Sequence, residues 1–279
     1  MNCVTPKMEK NSSEACYQRR YRTLFLSDIH LGTKACQAHL LLDFLKYNEA
    51  DTIFFVGDII DFWQFRRAVY WPQLHNDVIQ KILRKGRKGA RIVYIPGNHD
   101  EAMREYDYNA FGSIEIVRDA VFEALDGRRL LILHGDEFDV IVRYARWLAL
   151  LGHWAYGAAL WTNTYVNRFR KWLDLPYWSL AAHLKFKVKK AVNYLGEFES
   201  AITEEAKRRE CDGVVCGHIH HAAIQEVRGI TYMNCGDWVE SCTAIGETLE
   251  GKFELIHWRM AGIGGSVPDV RTQPLGAVA

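Results

Sequence analysis

The chain has 279 residues, of which 49% are hydrophobic and 25% are charged, and these values are typical of a globular protein with one large or two small domains. They exclude a disordered chain, a collagen-like repeat and a small disulfide scaffold. The formal net charge is only +1, from 35 basic and 34 acidic residues. Proteins that bind nucleic acid mainly through phosphate contacts usually carry a basic excess, so a nucleic-acid partner is not expected.

Cysteine usage and the chain ends predict a cytoplasmic protein. The 7 cysteines include no C-x-x-C pair, which argues against a disulfide framework. Residues 1–20 are polar and lack the apolar core of a signal peptide. They predict a flexible leader, and residues 263–279 predict a flexible tail. The uncharged run 147–167 is the one candidate for a membrane span, but its scattered polar residues argue against insertion.

Five apolar, β-rich runs stand out along the sequence, and each ends in a polar cluster. Continuous apolar runs of this length are typical of strands buried on both faces. Helical patterns at 38–47 and around 78–87 separate the first three runs, which predicts β-α-β units on a largely parallel sheet. The runs cover residues 23–30, 52–58, 91–100, 129–136 and 213–221.

Other segments of the sequence favour β-hairpins. Short glycine-containing links at 126–127, 228–229 and 250–251 each join two alternating runs, which is typical of antiparallel pairs. The predicted fold class is therefore α/β, with two mixed sheets packed face to face and helices outside. Residues 21–138 and 208–262 are expected to form this domain.

Residues 139–207 do not fit that scheme, because they contain no strand pattern. Trp147, Trp154 and Trp161 recur every seven residues and would share one face of a helix. Basic residues flank this aromatic stripe. The segment predicts a helical insertion between two strands of the main domain, either as a lid that covers a site or as an ordinary helical hairpin with its own core.

The polar clusters at the strand ends share a ligand chemistry. Carboxylate, imidazole and amide groups together suit Mn²⁺, Fe or Zn²⁺ without any thiolate. In Asp-x-His and His-x-His on an extended strand end, both side chains point the same way, so each pair can reach one ion. Sites in open α/β sheets gather at the carboxyl ends of strands, so the clusters are expected to meet. They are Asp28-x-His30, Gly57-Asp58, Gly97-Asn98-His99-Asp100, His134-Gly135-Asp136 and Gly217-His218-x-His220.

In this order the clusters resemble the pattern of the calcineurin-like metallophosphoesterases: D-x-H, G-D, G-N-H-D/E, a later H, and G-H-x-H. The resemblance spans residues 23–237 and implies a four-layer αββα sandwich. It also implies two divalent ions, with manganese expected first and iron or zinc as alternatives, and a metal-activated water as the nucleophile. The implied ligands are Asp28, His30 and His220 for the first ion and Asn98, His134 and His218 for the second, with Asp58 bridging both.

The same resemblance implies two catalytic residues that bind no metal. His99 would donate to the phosphoryl oxygen or the leaving group, and Asp100 would orient its ring. For Asp61 and Asp136 two interpretations stay open: each either contacts the site residues or forms a turn. The other histidines are interpreted as packed residues, namely His39, His75, His153, His183 and His257.

Within the family, three features are similar to the UDP-2,3-diacylglucosamine pyrophosphatase branch of lipid A synthesis. The segments GDIIDFW at 57–63 and NCGDWVESCTA at 234–244 resemble that branch, and the helical insertion occupies the place of its lid. The likeness implies hydrolysis of a nucleotide-sugar lipid and contact with the inner face of the membrane. The residues expected to touch substrate are Arg143, Trp147, Arg168, Lys171 and His221.

One position departs from that branch, which has Arg where this chain has His99. The exact substrate therefore stays open. The residues DIHLG at 28–32 also resemble the start of double-strand-break repair phosphodiesterases, so a nuclease is one alternative, against which the near-neutral charge counts. A non-catalytic scaffold is another, against which the presence of every ligand position counts.

Overall fold

A computed structural model describes residues 19–138 and 195–258, in which β-strands dominate. The strands are β1 (Arg19–Leu26), β2 (Asn48–Val56), β3 (Arg91–Ile95), β4 (Ala110–Phe111), β5 (Ile114–Ile116), β6 (Ala120–Glu123), β7 (Arg129–Ile132), β8 (Gly213–Cys216), β9 (Ala223–Val227), β10 (Ile230–Asn234), β11 (Thr243–Glu247) and β12 (Phe253–His257). The α-helices are α1 (Ala38–Tyr47), α2 (Phe62–Phe65), α3 (Gln73–Arg87) and α4 (195–208). Short 3₁₀ helices cover Glu101–Tyr106 and Asp136–Phe138.

The strands form two mixed sheets. The first has the order β12-β11-β1-β2-β3-β5-β4 and the second the order β6-β7-β8-β10-β9. Strands β1, β2, β3 and β5 run parallel, as do β7, β8 and β10. The pairs β6/β7, β9/β10 and β11/β12 are antiparallel, which confirms the three hairpins predicted from their glycine-containing links.

Three apolar clusters hold the layers together. Residues of α1 and α3, such as Phe44 and Val78, pack on the outer face of the first sheet. Between the sheets, Phe25 and Phe54 stack with ring centroids 5.2 Å apart in a cluster with residues of the second sheet. On the far side, Phe198 of α4 joins Leu131, Val214 and further residues. The layers therefore follow the order helix, sheet, sheet, helix, which confirms the αββα sandwich.

Several details differ from the sequence-based prediction. Strand β1 begins at Arg19, where its ladder with Asn48 of β2 starts, so the predicted leader overlaps it by two residues. The predicted insertion ends in α4, whose buried Phe198 and Ile202 pack against the second sheet; this helix serves as an outer layer of the main domain. Residues 139–194, with the run 147–167, lie outside the described residues, and the insertion stays a prediction.

The part of the chain that the structure describes contains no helix long and apolar enough to cross a membrane. Its five cysteines carry free thiols: Cys36, Cys211, Cys216, Cys235 and Cys242. This agrees with the absence of a disulfide framework in the sequence pattern, within residues 19–138 and 195–258.

Candidate metal centre

The predicted ligands lie in loops at the carboxyl ends of β1, β2, β3, β7 and β8, and these loops turn sharply. The expectation that Asp-x-His and His-x-His stay extended is wrong. Their backbones are left-handed, which costs a non-glycine residue about 1–3 kcal/mol and is typical of functional sites. Backbone bonds hold the turn, since the amide of His30 donates to the Asp58 carbonyl at 2.9 Å. The left-handed ligands and their φ values are Asp28 (51°), His30 (54°), Asp58 (56°), His218 (70°) and His220 (53°).

Asp28, His30 and His220 form one group of metal donors, here called the outer group, with ligand atoms within 4.8 Å of one another. Nε2 of His220 lies 3.2 Å from Oδ1 of Asp28, and Nε2 of His30 lies 3.9 Å from the same oxygen. The other oxygen, Oδ2, accepts the backbone amide of His218 at 2.9 Å. One oxygen of Asp28 therefore anchors a loop while the other faces the imidazoles.

Asp58, His134 and His218 form a second group, the inner group, by the same distance criterion. Nε2 of His134 lies 3.4 Å from Oδ2 of Asp58. On its other side, Nδ1 of His134 is 3.0 Å from the carbonyl oxygen of Val56. A carbonyl can only accept, so Nδ1 carries a proton, and Nε2 is the ring nitrogen on the side where a metal would bind.

Asp58 joins the two groups. Its Oδ2 lies 3.9 Å from Nε2 of His30 in the outer group as well as near His134 in the inner group. Its Oδ1 accepts the backbone amide of His99 at 2.8 Å. The carboxylate thus has one oxygen tied to the protein and one facing both groups, as a bridging ligand requires.

Buried polar atoms without partners test whether metal ions fit. Each unpaired buried polar group costs about 1–3 kcal/mol, so several converging at one edge of the fold need an explanation. The unpaired atoms of this region are Lewis bases that point from both sheets, and a borderline metal ion binds such a mixed set. Within the described residues they are Asp28 Oδ1, His30 Nε2, Asn98 Oδ1 and His134 Nε2, together with His99 Nδ1, which lies 3.0 Å from Oδ2 of Asp61 without a hydrogen bond. The donor set therefore fits divalent metal ions.

Both groups straddle the seam between the sheets. Asp28, His30 and Asp58 follow strands of the first sheet, whereas His134 and His220 follow strands of the second. Asn98 follows β3 of the first sheet and His218 follows β8 of the second. A cation held by either group would therefore link the two sheets directly.

Burial and charge oppose each other in these side chains. Burial by itself raises the pKa of Asp58, but the neighbouring His134 and His30 more than offset it, and the pKa lies well below the usual value. Burial lowers the pKa of His134, yet the carboxylate of Asp58 raises it to about 10. The carboxylates stay ionised at neutral pH, and a metal must displace a proton from His134 to bind there.

His99 lies beside the donor groups, and its partner differs from the prediction. Nδ1 of His99 is 3.0 Å from Oδ2 of Asp61. Asp100, expected to orient this ring, is fully buried and accepts backbone amides instead, from Gly97 at 2.6 Å and Ile59 at 2.8 Å. The expectation for Asp100 is therefore wrong, because its carboxylate is used to hold the two ligand loops together.

Asp61 combines the two roles that its sequence left open. Its Oδ1 caps α2 by accepting the amide of Gln64 at 2.8 Å. Its Oδ2 faces both His99 and Nδ1 of His30, the latter at 3.3 Å. Trp63, two residues on, lies over the His99 ring. The family-like motif GDIIDFW contains this residue, but the sequence does not mark it as part of the site.

The remaining candidates lie elsewhere. Asp136 pairs with Arg104 at 2.7 Å, and His221 is exposed. His75 is buried and accepts the amide of Gly32 on Nδ1 at 3.0 Å, as expected for a packed histidine. His39 is exposed, and His257 lies in β12. The positions outside the described residues are Arg143, Trp147, His153, Arg168, Lys171 and His183.

Comparison with known families decides the class of this site. A sequence model of the calcineurin-like phosphoesterases matches residues 21–222. The chain belongs to the calcineurin-like phosphoesterase family. This phosphoesterase fold and the converging donors agree, so the chain is a metal-dependent hydrolase of phosphoesters.

Several curated relatives of this phosphoesterase are named UDP-2,3-diacylglucosamine hydrolase. The protein from Neisseria meningitidis serogroup A is 28% identical over 228 residues, which cover 77% of this chain and 88% of the relative. The protein from Salmonella agona is 24% identical over 218 residues, covering 74% and 84%. A third, from Chromohalobacter salexigens, is 31% identical over 119 residues, covering 41% and 46%.

Solved structures also match this phosphoesterase, at low identity. Yfce, a phosphoesterase from E. coli, shares 15% identity with a TM-score of 0.41, over 84% of this chain and 92% of that one. Vacuolar Protein Sorting 29 from Cryptosporidium parvum shares 12% identity with a TM-score of 0.44, over 85% and 91%. These scores are too low to support an argument about activity, and the family assignment rests on the sequence match.

Proposed function

We propose that this phosphoesterase binds two divalent cations, manganese foremost, and hydrolyses the pyrophosphate of a nucleotide-sugar lipid such as UDP-2,3-diacylglucosamine. The observation that carries the dinuclear site is the pair of donor groups joined by one carboxylate oxygen, Oδ2 of Asp58. Asp28, His30 and His220 would hold one cation. Asn98, His134 and His218 would hold the other.

Cations bound there supply Lewis acidity for a phosphoryl oxygen and for the attacking water. The chain's own residues provide position and proton transfer. Nδ1 of His99 lies 3.0 Å from Oδ2 of Asp61, and Nε2 faces the donor groups at 4.0 Å from Oδ2 of Asp58. From this position His99 donates to the phosphoryl oxygen or to the leaving group, the kind of contact that typically contributes about 10²–10⁴-fold in rate.

The substrate class is supported by the relatives rather than by the site alone. The curated relatives named UDP-2,3-diacylglucosamine hydrolase align with about three quarters of this chain, at 28% identity over 77% for one of them. The proposal also includes a lid over the site, docking at a membrane surface and contacts with the substrate. These parts follow from the sequence pattern, in which basic residues flank an aromatic stripe. The residues that would contact the substrate are Arg143, Trp147, Arg168, Lys171 and His221.

The direct test is a turnover assay with UDP-2,3-diacylglucosamine in the presence of Mn²⁺. Cleavage of the pyrophosphate would yield UMP and 2,3-diacylglucosamine 1-phosphate, detected by mass spectrometry. A series of shorter acyl chains tests the lid, because each buried CH₂ contributes about 0.8 kcal/mol to binding. A rate independent of chain length would remove the lipid part of the proposal.

Two further measurements separate the alternatives. Titration of the protein with Mn²⁺ should reach two bound cations per chain, and saturation at a single cation would contradict the dinuclear site. Duplex and single-stranded DNA should be poor substrates at physiological salt, since the near-neutral chain lacks the charge for strong phosphate binding. Efficient DNA cleavage would replace the lipid substrate with a nucleic acid.

A further inference from the structure

The ring of His99 is contacted on several sides. The indole of Trp63 lies over it, with ring centroids 4.2 Å apart and planes inclined by 34°. The ring of His30 meets it edge-on at 4.7 Å and 88°. Oδ2 of Asp61 is 3.0 Å from Nδ1, and the His99 amide donates to Oδ1 of Asp58 at 2.8 Å. Of the two ring nitrogens, Nε2 is the one that faces the donor groups.

Trp63 contributes little to the cores of the described residues. Its surface is 40% exposed, and it belongs to none of the three apolar clusters. Trp71, in the connection between α2 and α3, instead packs against the helix-covered cluster of the first sheet. A large indole held in this half-exposed place, in contact with His99, needs a reason other than stability.

We propose that Trp63 is a positioning residue that fixes the His99 ring in the orientation used for catalysis. The proposal rests on the role of His99 in the proposed function. Oδ2 of Asp61 lies 3.0 Å from one ring nitrogen without a hydrogen bond, so this contact alone does not fix the ring, and the indole fills the space into which the ring would swing. The segment Gly57–Trp63 thus delivers the bridging carboxylate of Asp58, the carboxylate of Asp61 and this indole within one short turn.

The expected size of the effect follows from the strength of one aromatic contact. Such contacts shift an equilibrium by about 2- to 10-fold. Trp63→Ala should therefore lower kcat by about 2- to 10-fold, with KM and metal content close to those of the unaltered protein. Trp63→Phe keeps an aromatic face and should restore most of the rate.

The experiment measures kcat, KM and bound metal for the full chain with Mn²⁺, using bis(p-nitrophenyl) phosphate as the probe. The variants are Trp63→Ala, Trp63→Phe, His99→Ala and the double variant Trp63→Ala/His99→Ala. Tyr106→Ala is the matched control, because Tyr106 is an aromatic of similar exposure, 46%, whose recorded ring contact is with Phe111. Thermal unfolding shows that each variant is folded.

A positioning role predicts that the double variant is no slower than His99→Ala, because Trp63 acts only through that ring. A double variant slower than His99→Ala, a change in KM alone, a loss of metal or an unchanged rate in Trp63→Ala would each overturn the proposal for Trp63. If His99→Ala keeps full activity, the role of His99 in the proposed function fails as well. The two failures are therefore distinguishable.

Discussion

The inner and outer donor groups use the same residue types and differ mainly in the burial of one histidine, because Asp28 and His30 of the outer group are buried as well. The side chains of His134 and Asp58 in the inner group are 1% and 3% exposed, whereas that of His220 in the outer group is 38% exposed. The inner imidazole is also fixed by a backbone carbonyl, at 3.0 Å. The fold itself thus holds the inner group, while His220 is held mainly by contact with Asp28 at 3.2 Å. We expect an inner cation that binds first and an outer cation that exchanges with solvent.

The strongest test of this comparison removes the oxygen that both groups share. Asp58→Ala leaves His134 and His30 without their common carboxylate, so we expect loss of both cations and of detectable hydrolysis. Metal analysis after gel filtration and an assay with Mn²⁺ measure the two effects. Asp51→Ala is the control, because Asp51 lies in β2, the strand that precedes Asp58, and pairs with Arg20 at the surface. An Asp58→Ala protein that keeps one cation would show that the groups are independent.

The second test compares one histidine from each group. His134→Ala should remove the inner cation and also leave the carbonyl of Val56 unpaired, which lowers the free energy of unfolding of the metal-free protein by about 1–3 kcal/mol. His220→Ala should weaken the outer cation only, with little change in the stability of the metal-free protein. Titration with Mn²⁺ and urea unfolding measure both. Equal stability losses in the two variants would contradict the difference in burial.

The positions of the donors could be predicted from the sequence because each signal is local. Every ligand closes an apolar run or follows one within a few residues, and the carboxyl ends of neighbouring strands meet at one edge. The hairpins were predictable for the same reason, since each glycine-containing link lies between two alternating runs. Strands β4 and β5, with two and three residues, are too short to show any alternation.

The contacts between distant segments could not be predicted in this way. Asp100 is adjacent to His99 in the chain, yet Asp61 contacts the ring because the loops after β2 and β3 meet in space. The left-handed backbone at Asp28 and His30 gives only a weak signal in residue type, because neither residue is glycine, although Asp and His adopt this conformation more often than most residues. The apolar spacing in α4 predicts a helix but does not say that its buried face covers the second sheet.

The third test addresses Asp61, whose carboxylate lies near both His30 of the outer group and His99. Asp61→Asn replaces an oxygen near Nδ1 of His30 and of His99 by an amide. Loss of such an outer contact typically costs about 10- to 100-fold in metal affinity or activity, so we expect that range in kcat together with a weaker outer cation. The inner cation should stay bound. An effect on the inner cation alone would reverse the assignment of Asp61 to the outer side.

The smallest expected effect concerns the link between the sheets beside the inner group. Arg104 follows the Asn98 loop of the first sheet, and its Nη2 donates to Asp136, after His134 of the second, at 2.7 and 2.9 Å. The same nitrogen donates to the carbonyl of Pro96 at 3.1 Å. Because the pair is partly exposed, we expect Arg104→Ala to lower the free energy of unfolding by only about 1 kcal/mol.

That loss should be greater in the metal-free protein than in the Mn²⁺-loaded protein, since a cation in the inner group would already join the loops that Arg104 and Asp136 connect. Urea unfolding with and without Mn²⁺ measures the difference. Arg208→Ala is the matched control: it removes a pair within α4 whose arginine is 71% exposed, so little change in stability is expected whether or not metal is present. If Arg104→Ala lowers the stability equally in both states, the inner cation does not join the two sheets, although its donors come from both.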